Sequence, residues 1–366
     1  MKKTRTWAEV DLEALEHNYR YLRSLAPDSQ FLGLCKANAY GNGAEIIASA
    51  LASLGAEMLA VATAEEGVTL REYGISLPIL ILGDSPEEEF PLLLEYHLFP
   101  TVHSATMGEA LESFLKKENQ TLSCHVKIDT GMGRLGFFSS KEVLPLFAMK
   151  HLNIVGIYTH FPSSESDDEG TTQQWKSFQT ICNTLLNSKG KVLYHACNSG
   201  ATLYHQECHG DMIRPGIALY GYDPKGVINE NLRPVLSFYA KVSIVRAMKK
   251  GDKIGYGGTD ILAKDSLVAV LPVGYGDGYP RFQSNGGMVL IEDKLCPILG
   301  RVCMDMMMVD VTSLHGVVKT GTVATLWGTE NLLLDIAQRG NTITYELLCH
   351  ISKRVPRYPI HNNGSI

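Results

Sequence analysis

The sequence predicts an α/β fold: an N-terminal (β/α)8 barrel of the TIM type followed by a mostly β C-terminal domain. Three observations predict it. Short apolar runs alternate with helical segments through the first part of the chain, the pattern of parallel strands joined by crossover helices. Polar residues with chemistry gather just after those runs. Past Pro234 the long helices stop, and strand-like runs follow one another between glycine turns such as Lys250-Gly251 and Gly286-Gly287. An open doubly wound sheet is the competing reading of the first part. The first strand is not followed by Gly-x-Gly-x-x-Gly, which counts against a dinucleotide fold. The predicted units are 1–233, a barrel, and 234–366, a β domain.

Taken in order, Asp11 can cap a helix whose apolar positions are Leu12, Leu15, Tyr19 and Leu22. The first barrel strand begins at Phe31 and stops at Lys36. A helix from Ala44 to Leu54 ends at Gly55, a usual residue after a helix C-terminus. Met58 to Ala62 reads as the second strand, Ile79 to Leu82 as the third and Leu98 to Val102 as the fourth. Helices fall at Glu65 to Tyr73 and, later, at Thr172 to Leu186. Leu122 to Ile128, Ile154 to Thr159, Val192 to Cys197 and a run near Ile217 to Tyr220 complete the eight. In the second unit the predicted strands are Val235 to Ala247, Leu267 to Val273, Met288 to Ile291, Met306 to Val311 and Val323 to Trp327. A helix follows at Tyr345 to Ser352, and a disordered tail at His361 to Ile366.

The 366 residues, 45% hydrophobic, suffice for one large and one smaller core. A net charge of −6 with no basic run points away from a nucleic-acid surface. No apolar run approaches the roughly 18 residues of a membrane span, and the basic start, Met1 to Thr6, leads into Trp7-Ala-Glu-Val-Asp instead of a signal-peptide core. The eight cysteines lack zinc-type spacing and lie mostly in apolar stretches. They read as reduced, buried thiols of a cytoplasmic protein, with no metal expected.

A parallel barrel places its active site where the strands end. That rule selects Lys36 and Tyr40 after the first strand and Lys127, Asp129 and Arg134 after the fifth. It selects His160 at the sixth, Asn198 and Ser199 after the seventh, and Arg214, Gly216 and Ile217 at the eighth. Any one of them can be a strand-end residue that merely bonds loop backbone; Lys36 alone can be a snorkelling lysine. So many on one face point to chemistry. A lysine at a buried strand end loses hydration, which lowers its pKa and makes it a better nucleophile or base. Ser199 offers a hydroxyl, and Gly216 lets the backbone N–H groups of Gly216 and Ile217 approach an oxygen. Together they suggest pyridoxal 5'-phosphate: a covalent lysine, a phosphate cradle and a partner for the pyridine nitrogen. Arg214 is the candidate partner. An arginine does not readily accept the ring proton, so it favours brief proton abstraction at Cα over chemistry needing a long-lived carbanion. In the second unit, Gly-Tyr256-Gly and Gly-Tyr275-Gly read as turns that present a phenol, or as ordinary turn chemistry.

The chain resembles the two-domain, pyridoxal-phosphate-dependent alanine racemase family from Trp7 to about Tyr358. The resemblance is carried by Cys-Lys36-Ala-Asn-Ala-Tyr-Gly, Lys127-Ile-Asp-Thr-Gly-Met-Gly-Arg134-Leu-Gly, Ile-Arg214-Pro-Gly-Ile-Ala-Leu-Tyr-Gly, Gly-Tyr256-Gly and Gly-Arg-Val-Cys-Met304-Asp305. It implies interconversion of L- and D-alanine for peptidoglycan synthesis. It also implies a head-to-tail homodimer in which the partner completes each site. Lys36 would carry the cofactor and act as one base, and Tyr256, from the partner, would be the other. Arg134 would lie near the cofactor's phenolic oxygen and the substrate carboxylate, His160 would hold the tyrosine, and Arg214 would face the pyridine nitrogen. Tyr40, Ser199, Gly216 and Ile217 match phosphate positions, and Tyr275 and Met304 match partner residues of the substrate pocket. Lys127 matches a lysine that is carbamylated in some members, where it positions Arg134. Arg281, Arg301 and Asp305 match the entrance corridor and interface.

Three features depart from the family pattern. Asn42 stands where Ala-Tyr-Gly-His-Gly is more usual. Lys353 takes the place read as a cofactor-contacting tyrosine. Phe-Pro-Ser-Ser-Glu-Ser-Asp-Asp follows His160 where Phe-Ala-Ser-Ala-Asp is more usual. A lysine at 353 would reach phosphate as a point charge but would not wall the pocket. The alternatives are a racemase of broader range, acting on serine or basic amino acids, a barrel-type amino-acid decarboxylase, and a non-catalytic pyridoxal-phosphate-binding barrel. Arg214 argues against the decarboxylase, whose pyridine partner is an acid, and the β domain with Tyr256 argues against the last.

Overall fold

The computed structural model describes residues 3, 5–186, 192–328 and 332–361. Past His361, the predicted tail lies outside them. Barrel strands run at Gln30–Leu34, Met58–Val61, Ile79–Ile81, Leu98–Phe99 with Thr101–Val102, Leu122–Lys127, Leu152–Tyr158, Leu193–His195 and Met212–Ile213. Every paired neighbour is parallel. The fourth strand is split at Pro100, which has no N–H for the ladder. The circle closes where Asp211 N–H donates to Tyr194 O (3.0 Å) and Arg214 N–H to Cys197 O (2.8 Å).

The eighth strand differs from its prediction. Ile217 to Tyr220 is a buried turn, with N–H groups of Leu219 and Tyr220 donating to Gly216 O and Ile217 O. The strand is the shorter Met212–Ile213. Pro215 cannot extend the ladder, and the apolar run after it records burial, not extension; a short apolar run does not reveal its backbone by periodicity.

The helices follow local signals more closely. Asp11 accepts from the N–H groups of Glu13 and Ala14 at the head of Leu12–Leu25, and Ala44–Leu54 stops at Gly55 with φ 89°. The long helix starts earlier than predicted, at Asp168, and the last one is Thr344–Cys349.

The β region forms a nine-stranded sheet. The predicted Val235 to Ala247 strand is two strands, Leu236–Lys241 and Ile244–Met248. Lys294–Leu299 and Arg357–Ile360 join without having been predicted. So does Thr6–Asp11, which pairs antiparallel with Leu236–Lys241 and parallel with Arg357–Ile360. The start of the chain is thereby bonded to its last strand, beside the barrel mouth. Among the described residues, no helix is long and apolar enough to cross a membrane, and no group of three metal-ligating side chains occurs.

Candidate active site

A cavity of about 750 Å³ opens at the C-terminal ends of the barrel strands. It is lined by Lys36, Tyr40, Lys127, Arg134, His160, Asn198, Ser199, Arg214, Gly216 and Ile217, so ten of the predicted residues meet in one place.

Lys36 follows directly on the first strand and lies half-buried, its Nζ 5.9 Å from the Tyr40 ring centre. Burial, and then the guanidiniums of Arg134 and Arg214, lower its pKa. The next four residues, Ala37, Asn38, Ala39 and Tyr40, have φ of 51°, 54°, 53° and 52°. This is a left-handed turn made without glycine, and each such residue costs roughly 1–2 kcal/mol. Surrounding contacts must hold it. Glu66 accepts the Ala37 N–H (2.7 Å) and the Ala62 N–H (2.8 Å) on its two oxygens. Asn42, fully buried, donates to Ala39 O (2.8 Å) and Tyr40 O (3.1 Å). The turn brings Tyr40 against Gly216, where an added Cβ would lie 2.5 Å from the phenol oxygen. A larger residue there would have to push the phenol aside.

Arg214 is 2% exposed. Its Nη2 donates to Thr159 O (2.6 Å) and Ala196 O (2.7 Å), which fixes the guanidinium, while its buried Nε has no partner among the described residues. An orphaned buried donor calls for an acceptor from outside the chain. The guanidinium rests 5.3 Å from the Tyr158 ring centre, and the Lys127 ammonium lies 5.5 Å from the same ring. Ser199 Oγ accepts the N–H groups of Gly216 (2.8 Å) and Ala218 (3.2 Å), which leaves its own O–H to donate.

Lys127 is 2% exposed, and its pKa is lowered to about 8 by burial, then by Arg134 and Arg214. His160 is pushed well below its usual value by burial and by Arg214, Lys127, Lys36 and Arg134, so the ring is neutral. Asp129 is committed to structure: its oxygens accept the N–H groups of Gly131, Met132, Gly133 and Arg134, shaping the loop that carries Arg134.

Eight predicted residues lie outside this cavity: Asp129 and, in the second unit, Tyr256, Tyr275, Arg281, Arg301, Met304, Asp305 and Lys353. Tyr256 stands 69% exposed at the tip of a hairpin between Lys253–Ile254 and Asp260–Ile261. Tyr275 and Met304, 44% and 53% exposed, lie on two neighbouring surface loops, which meet where Gly276 N–H donates to Met304 O. Lys353 is exposed in the turn after Thr344–Cys349 and does not reach the cavity. Tyr345, on that helix, lines the cavity instead, its ring 6.0 Å from that of Tyr40. Sequence reasoning found the helix but took a residue beyond its end for the pocket wall. It also missed Glu66 and Tyr158. Thr63-x-x-Glu66 reads as a capping box, a signal for Glu66, although its carboxylate is turned away to the lysine turn.

An amine whose pKa is lowered by burial, a fixed cationic donor without an acceptor and a hydroxyl beside close backbone suit a planar heterocycle with a phosphate. The residues therefore fit the cofactor, and the class follows: a barrel protein that binds pyridoxal 5'-phosphate. Comparison with known proteins narrows the class. The family models "Alanine racemase, N-terminal domain" and "Alanine racemase, C-terminal domain" match residues 10–224 and 235–359, and the chain belongs to the alanine racemase family. It is 41% identical to the alanine racemase of Carboxydothermus hydrogenoformans, across 96% of this chain and 98% of that one. The alanine racemase of Halothermothrix orenii is 38% identical, across 96% of each chain. Among solved structures, an alanine racemase of Clostridium difficile superposes with TM-score 0.94 at 32% identity, over 99% of this chain and 97% of that one. One from Bartonella henselae, described with covalently bound pyridoxal phosphate, gives TM-score 0.88 at 29% identity, over 98% and 100%.

Proposed function

We infer that this protein is a pyridoxal-phosphate-dependent isomerase that interconverts L- and D-alanine, with the peptidoglycan role of its family. The observation that carries the reading is Arg214, buried and held by two carbonyls with its Nε unpartnered. A permanently charged donor there suits a ring nitrogen that stays unprotonated, which favours reversible proton transfer over decarboxylation. When bound to the amino-acid nitrogen, the cofactor draws electrons from Cα and makes its hydrogen acidic.

The residues divide the remaining work. We assign cofactor attachment to Lys36 and phosphate binding to Tyr40, Ser199, Gly216 and Ile217. Arg134 takes the substrate carboxylate. Lys36 Nζ then exchanges a proton with one face of Cα, helped by the burial and cationic neighbours that favour its neutral amine. The second base must reach the opposite face, and Tyr256 is assigned to it. Its exposure at a hairpin tip, away from its own chain's cavity, supports delivery to a neighbouring subunit. In that head-to-tail homodimer the barrel, with Tyr345 at its wall, holds the cofactor, and the β domain, which Thr6–Asp11 joins against the predicted boundary at 233, presents Tyr256, Tyr275 and Met304 to the partner's mouth. The neutral His160 ring can accept a hydrogen bond from the phenol. Arg281, Arg301 and Asp305 are assigned to the entrance. Lys127, with about half its amines uncharged near pH 8, suits carbamylation, and the resulting anion would brace Arg134. Six of the eight cysteines are buried and all are unpaired, which supports a cytoplasmic setting.

With Tyr345 walling the cavity, Lys353 no longer argues for a broad substrate range. A chiral amino-acid assay on the cofactor-loaded protein tests the activity. D-alanine should form from L-alanine faster than any other D-amino acid from its L form. Carbon dioxide release without a D-product would replace this reading with a decarboxylase.

A further inference from the structure

We propose that Glu66 and Arg357 are positioning residues that clamp the left-handed turn after Lys36 from both ends and so set the affinity of the site for its cofactor. The proposal rests on reading the mouth as a pyridoxal-phosphate site, but its geometry stands apart from that reading.

A turn of four non-glycine residues with positive φ does not persist by itself. Its entry is held by Glu66, whose two oxygens join Ala37 N–H to Ala62 N–H and so tie the first strand's loop to the second's. Its exit is held by Arg357. That guanidinium donates to Gly41 O (3.0 Å), Ser352 O (2.7 Å), Val355 O (2.7 Å) and Ile351 O (2.8 Å). No carboxylate takes part in these bonds; four backbone carbonyls receive the charge. Gly41 is pressed so closely on the last helix that an added Cβ would lie 2.0 Å from Leu348 O. The helix Thr344–Cys349 carries Tyr345 to the cavity. Arg357 therefore locks two walls together: the turn that follows Lys36 and bears Tyr40, and the segment just past the helix bearing Tyr345. Asn42 staples the middle through Ala39 O and Tyr40 O.

Releasing either end lets the turn relax towards ordinary backbone angles. The Tyr40 phenol would then withdraw from Gly216, and the phosphate cradle would lose a wall. Lys36, which precedes the turn, would keep its place at the strand end. Affinity should fall more than turnover.

Glu66→Gln keeps the shape but faces an amide NH2 towards one of the two N–H donors. Arg357→Lys keeps the charge but loses the fork. Glu65→Gln, on the exposed side of the same helix, controls for charge. Two measurements apply: amide hydrogen exchange over residues 37–42 in cofactor-free protein, and the dissociation constant of pyridoxal 5'-phosphate by absorbance titration. Loss of one charge-assisted bond predicts about a tenfold weaker cofactor for Glu66→Gln. The exchange of Ala37 should be faster, while the borohydride-reducible bond to Lys36 is kept and kcat at saturating cofactor falls less than affinity. Arg357→Lys should free the Gly41 end in the same way and carries the test if Glu66→Gln does not fold. Native exchange and native affinity in a folded variant would overturn the clamp. If the wild type bound no cofactor, the site reading would fail, while the exchange measurement would still decide the clamp.

Discussion

The turn after Lys36 and the turn around Tyr256 both carry a tyrosine followed by glycine, yet they are built in opposite ways. The first is strained, with Tyr40 buried and its backbone held by the side chains of Glu66, Asn42 and Arg357. The second is a hairpin tip with its tyrosine 69% exposed. Rigidity at Lys36 comes from within the chain. A phenol at a hairpin tip has no such support, and in the proposed homodimer it would find its surroundings in the partner. On that proposal the site is half finished in one chain, with the finished half placed where cofactor geometry is most demanding.

Removing the finished half should have the largest effect. Lys36→Ala should lower racemisation by roughly 10³-fold or more, and borohydride treatment with pyridoxal 5'-phosphate should leave no labelled peptide containing residue 36. Label on another lysine would move the carrier elsewhere and dissolve the contrast between the turns. Tyr256→Phe should cost roughly 10²–10⁴-fold, and unequally for the two enantiomers. Deuterium uptake at Cα of L-alanine should fall far more than uptake at Cα of D-alanine, which Lys36 serves. Undiminished exchange of both would remove Tyr256 from the chemistry. Mixing the two inactive variants under verified subunit exchange should restore activity; persistent inactivity would mean that the tyrosine serves its own chain.

Lys127 sharpens the comparison more gently. Its pKa of about 8 means that the reactive neutral amine grows as pH rises through that value and declines below it. Bicarbonate should therefore raise activity severalfold between about pH 7 and 9, with a carbamate signal in ¹³C NMR that Lys127→Ala lacks. A pH-independent signal would point to another amine. The smallest effects belong to the cavity's outer wall. Tyr345→Ala should shift the kcat/KM ratio of alanine to serine by about 1–3 kcal/mol, while Lys353→Tyr should leave it unchanged. A narrowed range in Lys353→Tyr would return that position to the pocket.

Much of this site was legible before any coordinates. The position of Lys36, the cap at Asp11, the stop at Gly55 and the hairpin glycines around Tyr256 depend on neighbours close in sequence. The strand-end rule then sorted residues far apart into one mouth, because a closed parallel barrel has only one such end. The errors lie where burial imitates periodicity. Ile217 to Tyr220 is apolar because it is covered, and Thr6–Asp11 and Arg357–Ile360 are strands because they meet each other.

The order of the elements, the gathering of Lys36, Arg214 and Ser199 at the barrel mouth, and the family could be read from the chain alone, since these rest on local spacing and on residue types that few other chemistries need. Long-range packing was needed to place Tyr345, and not Lys353, at the cavity wall, to turn Glu66 from its capping role to the Ala37 N–H, and to bring Arg357 to Gly41. Each of those choices joins segments distant in sequence. A helix turn moves a side chain about 100° per residue, so a small shift in a helix end exchanges which residue faces a cavity, and nothing in the local sequence records the outcome.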